Sequence, residues 1–183
     1  MTVPNLITTI RIILTPIFVI YLLDGQFNSA LVVFVLCGIS DGLDGLLARV
    51  LDQRSQLGVH LDPIADKILL VAAFLTLAIQ GAFPAWLSVT VIARDVIIGV
   101  GIVVLVMTHQ DFVKKPTTLS KITTTLQILT VIAALSKGLF TFPALFYSGL
   151  YYLCALATIS SGLHYIYLGY RMIGESDLDG KDF

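Results

Sequence analysis

The chain is poor in charged residues and in cysteine, and each scarcity excludes a class of protein. Only 13% of its 183 residues are charged, against about 25% in soluble domains, so a soluble globular protein is excluded. Only two cysteines are present, Cys37 and Cys154, far apart within apolar runs, so we expect packed thiols rather than a disulfide framework. A net charge of −1 excludes the basic surface that nucleic acid would require.

What is present instead is apolar sequence in long runs. Hydrophobic residues make up 57% of the chain and the mean hydropathy is +0.93, which predicts an all-α integral membrane protein. The first run lacks the charged start and cleavage site of a signal peptide, so we expect it to remain. Six membrane-spanning helices are predicted, at Leu6–Leu23, Ser29–Val50, Pro63–Gln80, Pro84–Met107, Thr117–Leu139 and Pro143–Arg171.

The predicted helices form one domain, 1–173, followed by a short acidic tail, 174–183, that we expect to be disordered. We expect a break in the sixth helix near Gly162. With the N-terminus in the cytoplasm, Lys137 is the only cation of the outer loops. The cytoplasmic segments then hold the remaining flanking cations, which satisfies the positive-inside rule: Arg49, Arg54, Lys114, Lys115, Arg171 and Lys181.

The most informative segment holds four aspartates inside or beside apolar helices. Asp41 and Asp44 are three residues apart, and Asp62 and Asp66 are four apart, so each pair shares one helix face. An antiparallel connection at residues 51–61 would bring the faces together. Such carboxylates are costly in a membrane unless cations neutralise them. The pattern predicts a polar cavity, open to the cytoplasm, that binds two divalent cations, Mg²⁺ or Mn²⁺, and holds a phosphoryl group between them.

Small residues and an arginine accompany the aspartates. Gly45 and Ala48 lie on the face of Asp41 and would let a ligand approach the backbone, as would Gly58 in the loop. Arg49 can offer its planar fork to a phosphate. Taken singly, each has a plainer interpretation: helix packing for Gly45 and Ala48, and a membrane flank for Arg49. Asp62 before Pro63 is likewise a good helix N-cap.

Together these residues form D-G-x2-A-R-x8-G-x3-D-x3-D, from Asp44 to Asp66, with Asp41 as an additional aspartate upstream. The pattern resembles the signature of the CDP-alcohol phosphatidyltransferases. P-N-L-I-T-T-I-R near the N-terminus, A-R-D at Ala93–Asp95 and S-K-I-T-T-T-L-Q at Ser120–Gln127 look like further landmarks of that family. The resemblance implies six helices, a homodimer, and transfer of a phosphatidyl group from CDP-diacylglycerol to an alcohol with release of CMP.

Roles follow from the resemblance residue by residue. It implies that Asp41, Asp44, Asp62 and Asp66 bind the two metals and that Asp66 is also the general base. Gly45, Ala48, Arg49 and Gly58 would bind the cytidine diphosphate. The residues do not distinguish direct attack from a covalent intermediate, although no Ser–His or Cys–His arrangement favours the latter.

The acceptor alcohol is the finer question. Candidate acceptor-binding cations are Arg94, Lys114, Lys115 and Lys121. Phosphatidylglycerophosphate synthases of this family tend to carry an arginine after the A-R-D segment and a second lysine where this chain has Thr123. Because both are missing here, the sequence favours phosphatidylglycerol as acceptor, and thus cardiolipin synthesis. Glycerol 3-phosphate is the main alternative, followed by inositol phosphate and serine.

Two other classes compete with an enzyme. Membrane carboxylates also bind transported ions, so a cation transporter is the main alternative, although no inverted repeat or pair of broken helices supports it. A purely structural helix bundle is disfavoured by the cost of inserting the polar residues. If the host is a bacterium, we expect a multi-pass protein of the inner membrane.

Overall fold

In the structure, a computed structural model, every regular element of the described residues is a helix. The structure describes the backbone of residues 3–50, 56–107, 117–140 and 142–179, and the side chains of residues 9–41, 65–104, 107, 117–140 and 142–171. The helices are α1 (Val3–Leu23), α2 (Phe27–Val50), α3 (Gln56–Ile79), α4 (Ala85–Met107), α5 (Thr118–Leu135) and α6 (Ala144–Asp179), with a 3-10 turn at Ser136–Gly138 between the last two.

The predicted start of the third helix was wrong. α3 begins at Gln56, so Pro63 lies inside the helix and Asp62 does not precede its first turn. Gly58, which we expected in a loop, lies in the first turn. Membrane helices tolerate an interior proline because neighbouring groups satisfy the freed backbone carbonyl. Proline and aspartate therefore misled the prediction of this boundary.

The predicted break in the sixth helix was also wrong. α6 is continuous from Ala144 to Asp179, so helical backbone also covers residues 174–179 of the expected tail. Gly162 is buried, and a Cβ built on it would lie 3.5 Å from Arg94 Cγ. This glycine therefore allows a close approach between helices rather than ending one.

Membrane character is confirmed by the helices themselves. Among the residues with described side chains, three stretches are long and apolar enough to cross a membrane, Ala85–Val104, Thr118–Gly138 and Ala144–Arg171. Two shorter apolar stretches are Thr9–Leu23 and Phe27–Asp41. The count of six spans stays a prediction.

The chain divides into two compact units. The first unit comprises Met1–Ala85 with Val131–Ala144. Its core includes a tilted aromatic pair between α1 and α2, Phe18 and Phe34, with ring centroids 5.6 Å apart. Here α1 and α3 end in the same way, with Gly25 at φ +73° and Gly81 at φ +68°. Glycine adopts this left-handed conformation readily and so terminates both helices.

The second unit comprises Trp86–Thr130 with Leu145–Phe183. A polar seam joins α5 to α6 in its interior. Thr123 Oγ1 donates to Ala157 O at 3.0 Å, and Gln127 Nε2 donates to Thr158 Oγ1 at 3.4 Å. Hydrogen bonds between apolar helices hold them in one register, because a mispaired polar group would be left in hydrocarbon.

Candidate active site

Three charged residues of the first unit, Arg11, Asp41 and Asp66, lie at similar distances along their helices from one edge of the unit. Gln80, just after α3, donates through Nε2 to Leu22 O and Leu23 O at the end of α1, each at 3.0 Å. The two helix ends therefore meet at one edge, where α2 begins. At about 1.5 Å per residue, Arg11, Asp66 and Asp41 lie about 18, 20 and 21 Å from that edge along α1, α3 and α2.

Arg11 joins the two aspartates. Its Nη2 lies 3.0 Å from Asp41 Oδ1, and its Nη1 donates to Asp66 Oδ1 at 2.6 Å. The arginine is 1% exposed, whereas the side chains of Asp41 and Asp66 are 45% and 44% exposed. The guanidinium thus forms the floor of a cluster whose carboxylates reach the surface of the unit.

Arg11 supplies one positive charge to two carboxylate side chains, so it does not by itself neutralise both Asp41 and Asp66. Arg11 lowers the cost of bringing both carboxylates into an apolar bundle, because each carboxylate gains a charge-assisted hydrogen bond or ion pair. In the sequence, Arg11 ends a segment that resembles a family landmark and is also one of the charges within apolar helices that are expected to face a shared polar cavity. Its signal was an arginine within an apolar helix, with nothing to name its partners.

One member of each predicted aspartate pair, Asp41 of α2 and Asp66 of α3, pairs with the same guanidinium, that of Arg11 on α1. Position 44 lies in α2, one turn after Asp41, and position 62 lies in α3, one turn before Asp66. The side chains of Asp44 and Asp62 lie outside the described residues. So do the surroundings of the four residues expected to bind cytidine diphosphate, whose positions fall in α2 and α3: Gly45, Ala48, Arg49 and Gly58.

Of the four cations expected to bind the acceptor, two lie within the described residues. Arg94 is buried in the middle of α4 and bonds to side chains of the second unit. Lys121 is exposed near the start of α5. Lys114 and Lys115 lie outside the described residues.

A divalent cation suits the donor chemistry of this site. Among the described side chains, no three His, Cys, Asp or Glu residues are close enough to hold one metal ion. Asp41 and Asp66 are two hard oxygen donors on different helices, and both side chains are accessible. Mg²⁺ commonly takes one or two carboxylates and completes its shell with water and substrate phosphates. The two described aspartates therefore fit such an ion.

The sequence model of the family described as CDP-alcohol phosphatidyltransferase matches residues 1–161. The chain belongs to the CDP-alcohol phosphatidyltransferase family. Asp41, Asp66 and Arg11 all lie within the matched residues.

Curated relatives of this family member carry two names. A "Cardiolipin synthase (CMP-forming)" of Rattus norvegicus is 32% identical over 94% of this chain and 63% of the relative. A "Probable cardiolipin synthase (CMP-forming)" of Drosophila melanogaster is 34% identical over 91% of this chain and 57% of the relative. A "CDP-diacylglycerol--glycerol-3-phosphate 3-phosphatidyltransferase" of Pseudomonas fluorescens is 40% identical over 54% of this chain and 53% of the relative. The chain thus spans roughly three fifths of the length of the cardiolipin synthases that it resembles.

Proposed function

We propose that this protein transfers the phosphatidyl group of CDP-diacylglycerol to phosphatidylglycerol, forming cardiolipin and releasing CMP. The choice of acceptor rests on the environment of Thr123. This residue is wholly buried, and its Oγ1 donates to Leu119 O at 2.9 Å and Ala157 O at 3.0 Å. Phosphatidylglycerophosphate synthases of this family tend to carry a second lysine at this position, whereas an uncharged glycerol end needs no such cation. The names of the rat and Drosophila relatives support the same acceptor.

The reaction we infer is a direct displacement at phosphorus. Asp66 takes the proton from the acceptor hydroxyl as that oxygen forms its bond to the phosphatidyl phosphorus, and the bond from phosphorus to the CMP oxygen breaks. Asp41, Asp44, Asp62 and Asp66 would hold two divalent cations, Mg²⁺ or Mn²⁺, which stabilise negative charge on the diphosphate and on the departing CMP. Arg11 holds Asp66 by an ion pair, so the base is oriented before the acceptor arrives.

Substrate binding is assigned to the residues around the aspartates. Gly45, Ala48 and Gly58 would leave room for the cytidine diphosphate, and Arg49 would bind its phosphates. Lys121 has the exposure that a ligand for an acceptor phosphodiester requires. Lys114 and Lys115 remain proposed partners in that role.

The same proposal includes the arrangement in the membrane. Six spans in a single domain, with the N-terminus and the aspartates at the cytoplasmic side, would place the site where CDP-diacylglycerol presents its polar head. We propose a homodimer as the working assembly, on the family resemblance alone. The membrane lipids supply both donor and acceptor in this scheme.

The test is an acceptor panel in detergent with Mg²⁺ or Mn²⁺ and labelled CDP-diacylglycerol. Phosphatidylglycerol, glycerol 3-phosphate, inositol phosphate and serine are supplied separately, and the lipid product and CMP are measured. We expect cardiolipin from phosphatidylglycerol and loss of turnover in Asp66→Asn, which keeps the size of the side chain but cannot accept the proton. Normal turnover in Asp66→Asn would overturn its role as the base.

A second candidate function is phosphatidylglycerophosphate synthesis. The 40% identity to the Pseudomonas fluorescens relative favours it over 54% of the chain. Product from glycerol 3-phosphate and none from phosphatidylglycerol would establish this function and overturn the inference from Thr123. If neither phosphatidylglycerol nor glycerol 3-phosphate supports metal-dependent CMP release, both are rejected as acceptors. If no CMP is released under any condition, a cation transporter is favoured.

A further inference from the structure

We propose that Arg94 is a positioning residue that fixes α5 and α6 against α4, and that it does not itself bind the acceptor. The expected effect of Arg94 on acceptor binding rests on the proposed function. The structural part of the inference stands on the second unit alone. The observation behind it is that the Arg94 guanidinium contacts side chains from three helices.

Arg94 donates in three directions. Its Nη1 donates to Asp95 Oδ1 at 2.8 Å, and its Nη2 donates to Ser120 Oγ on α5 at 2.7 Å and to Ser161 Oγ on α6 at 2.8 Å. Asp95 balances the charge of Arg94 within α4, and the two serines are neutral hydrogen-bond acceptors. A planar guanidinium can reach several acceptors in fixed directions, which a lysine ammonium cannot reproduce.

Two further contacts close the site around this guanidinium. The Arg94 Cζ lies 5.9 Å from the centroid of the Tyr165 ring, within range of a cation–π interaction. The missing side chain of Gly162 leaves space for the arginine stem, since a Cβ there would be 3.5 Å from Arg94 Cγ. Arg94 is consequently 4% exposed. An acceptor phosphate could reach Nη1 or Nη2 of Arg94 only by displacing these partners.

The contacts of Arg94 reach the first turn of α5. Thr117 precedes that helix, and its Oγ1 accepts a hydrogen bond from Ser120 N at 3.2 Å, as a helix N-cap does. Thr117 N in turn donates to Tyr165 Oη at 3.4 Å. The start of α5 is therefore tied to α6 through Tyr165 and to α4 through Arg94.

The position of Lys121 follows from this anchorage. Arg94 is in the middle of the Ala85–Val104 span, whereas Ser120 is in the first turn of α5. Their hydrogen bond sets the level at which α5 begins relative to α4, and Lys121 is the next residue after Ser120. Arg94 thus acts on the acceptor through the helix that carries Lys121.

Replacing Ser161 distinguishes an Arg94 that positions helices from an Arg94 that binds the acceptor. Ser161 is wholly buried, so it cannot touch a substrate, and its exposed neighbour Ser160 offers a matched control. The variants are Arg94→Lys, Ser161→Ala, Ser160→Ala and the double variant of Arg94 and Ser161. For each, thermal unfolding in detergent is measured first, and then kcat and the KM for donor and acceptor.

We expect Ser161→Ala and Arg94→Lys to lower the unfolding midpoint by about 2–6 °C and to raise the acceptor KM severalfold, with Ser160→Ala unchanged. Ser161→Ala should add little in the Arg94→Lys background, because the bond it removes is already lost. A tenfold rise in acceptor KM for Arg94→Lys at an unchanged unfolding midpoint, with Ser161→Ala matching Ser160→Ala, would make Arg94 an acceptor ligand and overturn the proposal. If the wild-type protein has no transferase activity, the proposed function fails, while the unfolding midpoints still decide whether Arg94 joins the helices.

Discussion

At the scale of single residues, Arg11 is the least expected part of the candidate site. The spacing of Asp41, Asp44, Asp62 and Asp66 predicts that α2 and α3 face each other, and Asp41 and Asp66 do converge on one guanidinium. Spacing along two helices does not reveal which cation of a third helix will lie between them. That choice depends on where α1 packs, so the sequence predicted the carboxylates but not their partner.

Replacing Arg11 should show how far the carboxylates depend on a resident cation. Arg11→Met leaves Asp41 and Asp66 facing each other without it, and we expect a loss of about 1–2 kcal/mol of stability, discounted because both carboxylates are half exposed. Unfolding in detergent, followed with and without Mn²⁺, is the measurement. The deficit should shrink with Mn²⁺, since a bound divalent cation supplies the missing positive charge.

Lys121→Met is the control for Arg11→Met, because it removes a cation from an exposed helix position. Its unfolding midpoint should stay near that of the wild type in both conditions. An Arg11→Met protein as stable as the wild type without metal would show that the ion pairs contribute nothing measurable. A deficit unaffected by Mn²⁺ would argue against a divalent cation at Asp41 and Asp66.

At the scale of helices, the wrongly predicted boundaries are those at proline and glycine, which occur both at helix ends and inside packed helices. Pro63 is interpreted as the start of a helix because proline commonly occupies a first turn, yet it lies inside α3. Gly162 is interpreted as a break, yet it makes room for Arg94. Both residues are explained by packing between helices, which a pattern along one helix does not contain. The helix ends marked by Gly25 and Gly81 were close to prediction, because a left-handed glycine is a local signal.

The end of α3 allows a test of local backbone conformation. An added Cβ at Gly81 or at Gly99 would meet nothing within 4 Å, but only Gly81 has a positive φ, +68°. Gly81→Ala should therefore lower stability by about 1 kcal/mol, which corresponds to about 2–4 °C in a chain of this size. Gly99→Ala lies inside α4 and should leave the midpoint unchanged or raise it. Equal shifts in the two variants would contradict the assigned conformation at Gly81.

At the scale of the whole molecule, the distribution of charge predicts which ends face the cytoplasm. Three stretches of the described chain qualify as spans by length and composition, and the family match covers residues 1–161. An even number of spans would return both termini to one side. The cations outside the helices favour the cytoplasm for that side, because Lys137 is the only one assigned to the outer loops.

Accessibility of single cysteines tests this arrangement. In a background with Cys37 and Cys154 replaced, Asp24→Cys and Leu139→Cys should react with an impermeant maleimide from outside intact cells, since both positions are exposed between helices. Tyr170→Cys, 80% exposed near the end of the Ala144–Arg171 span, should react only in inverted vesicles. Asp41 lies in α2 far from the edge that contains Asp24, so this labelling pattern would place the aspartates toward the cytoplasm. Labelling of Tyr170→Cys from outside would instead put both Tyr170 and Asp24 on one side. That result would require an even number of spans between them, whereas six spans place five there, and it would reject the six-span arrangement.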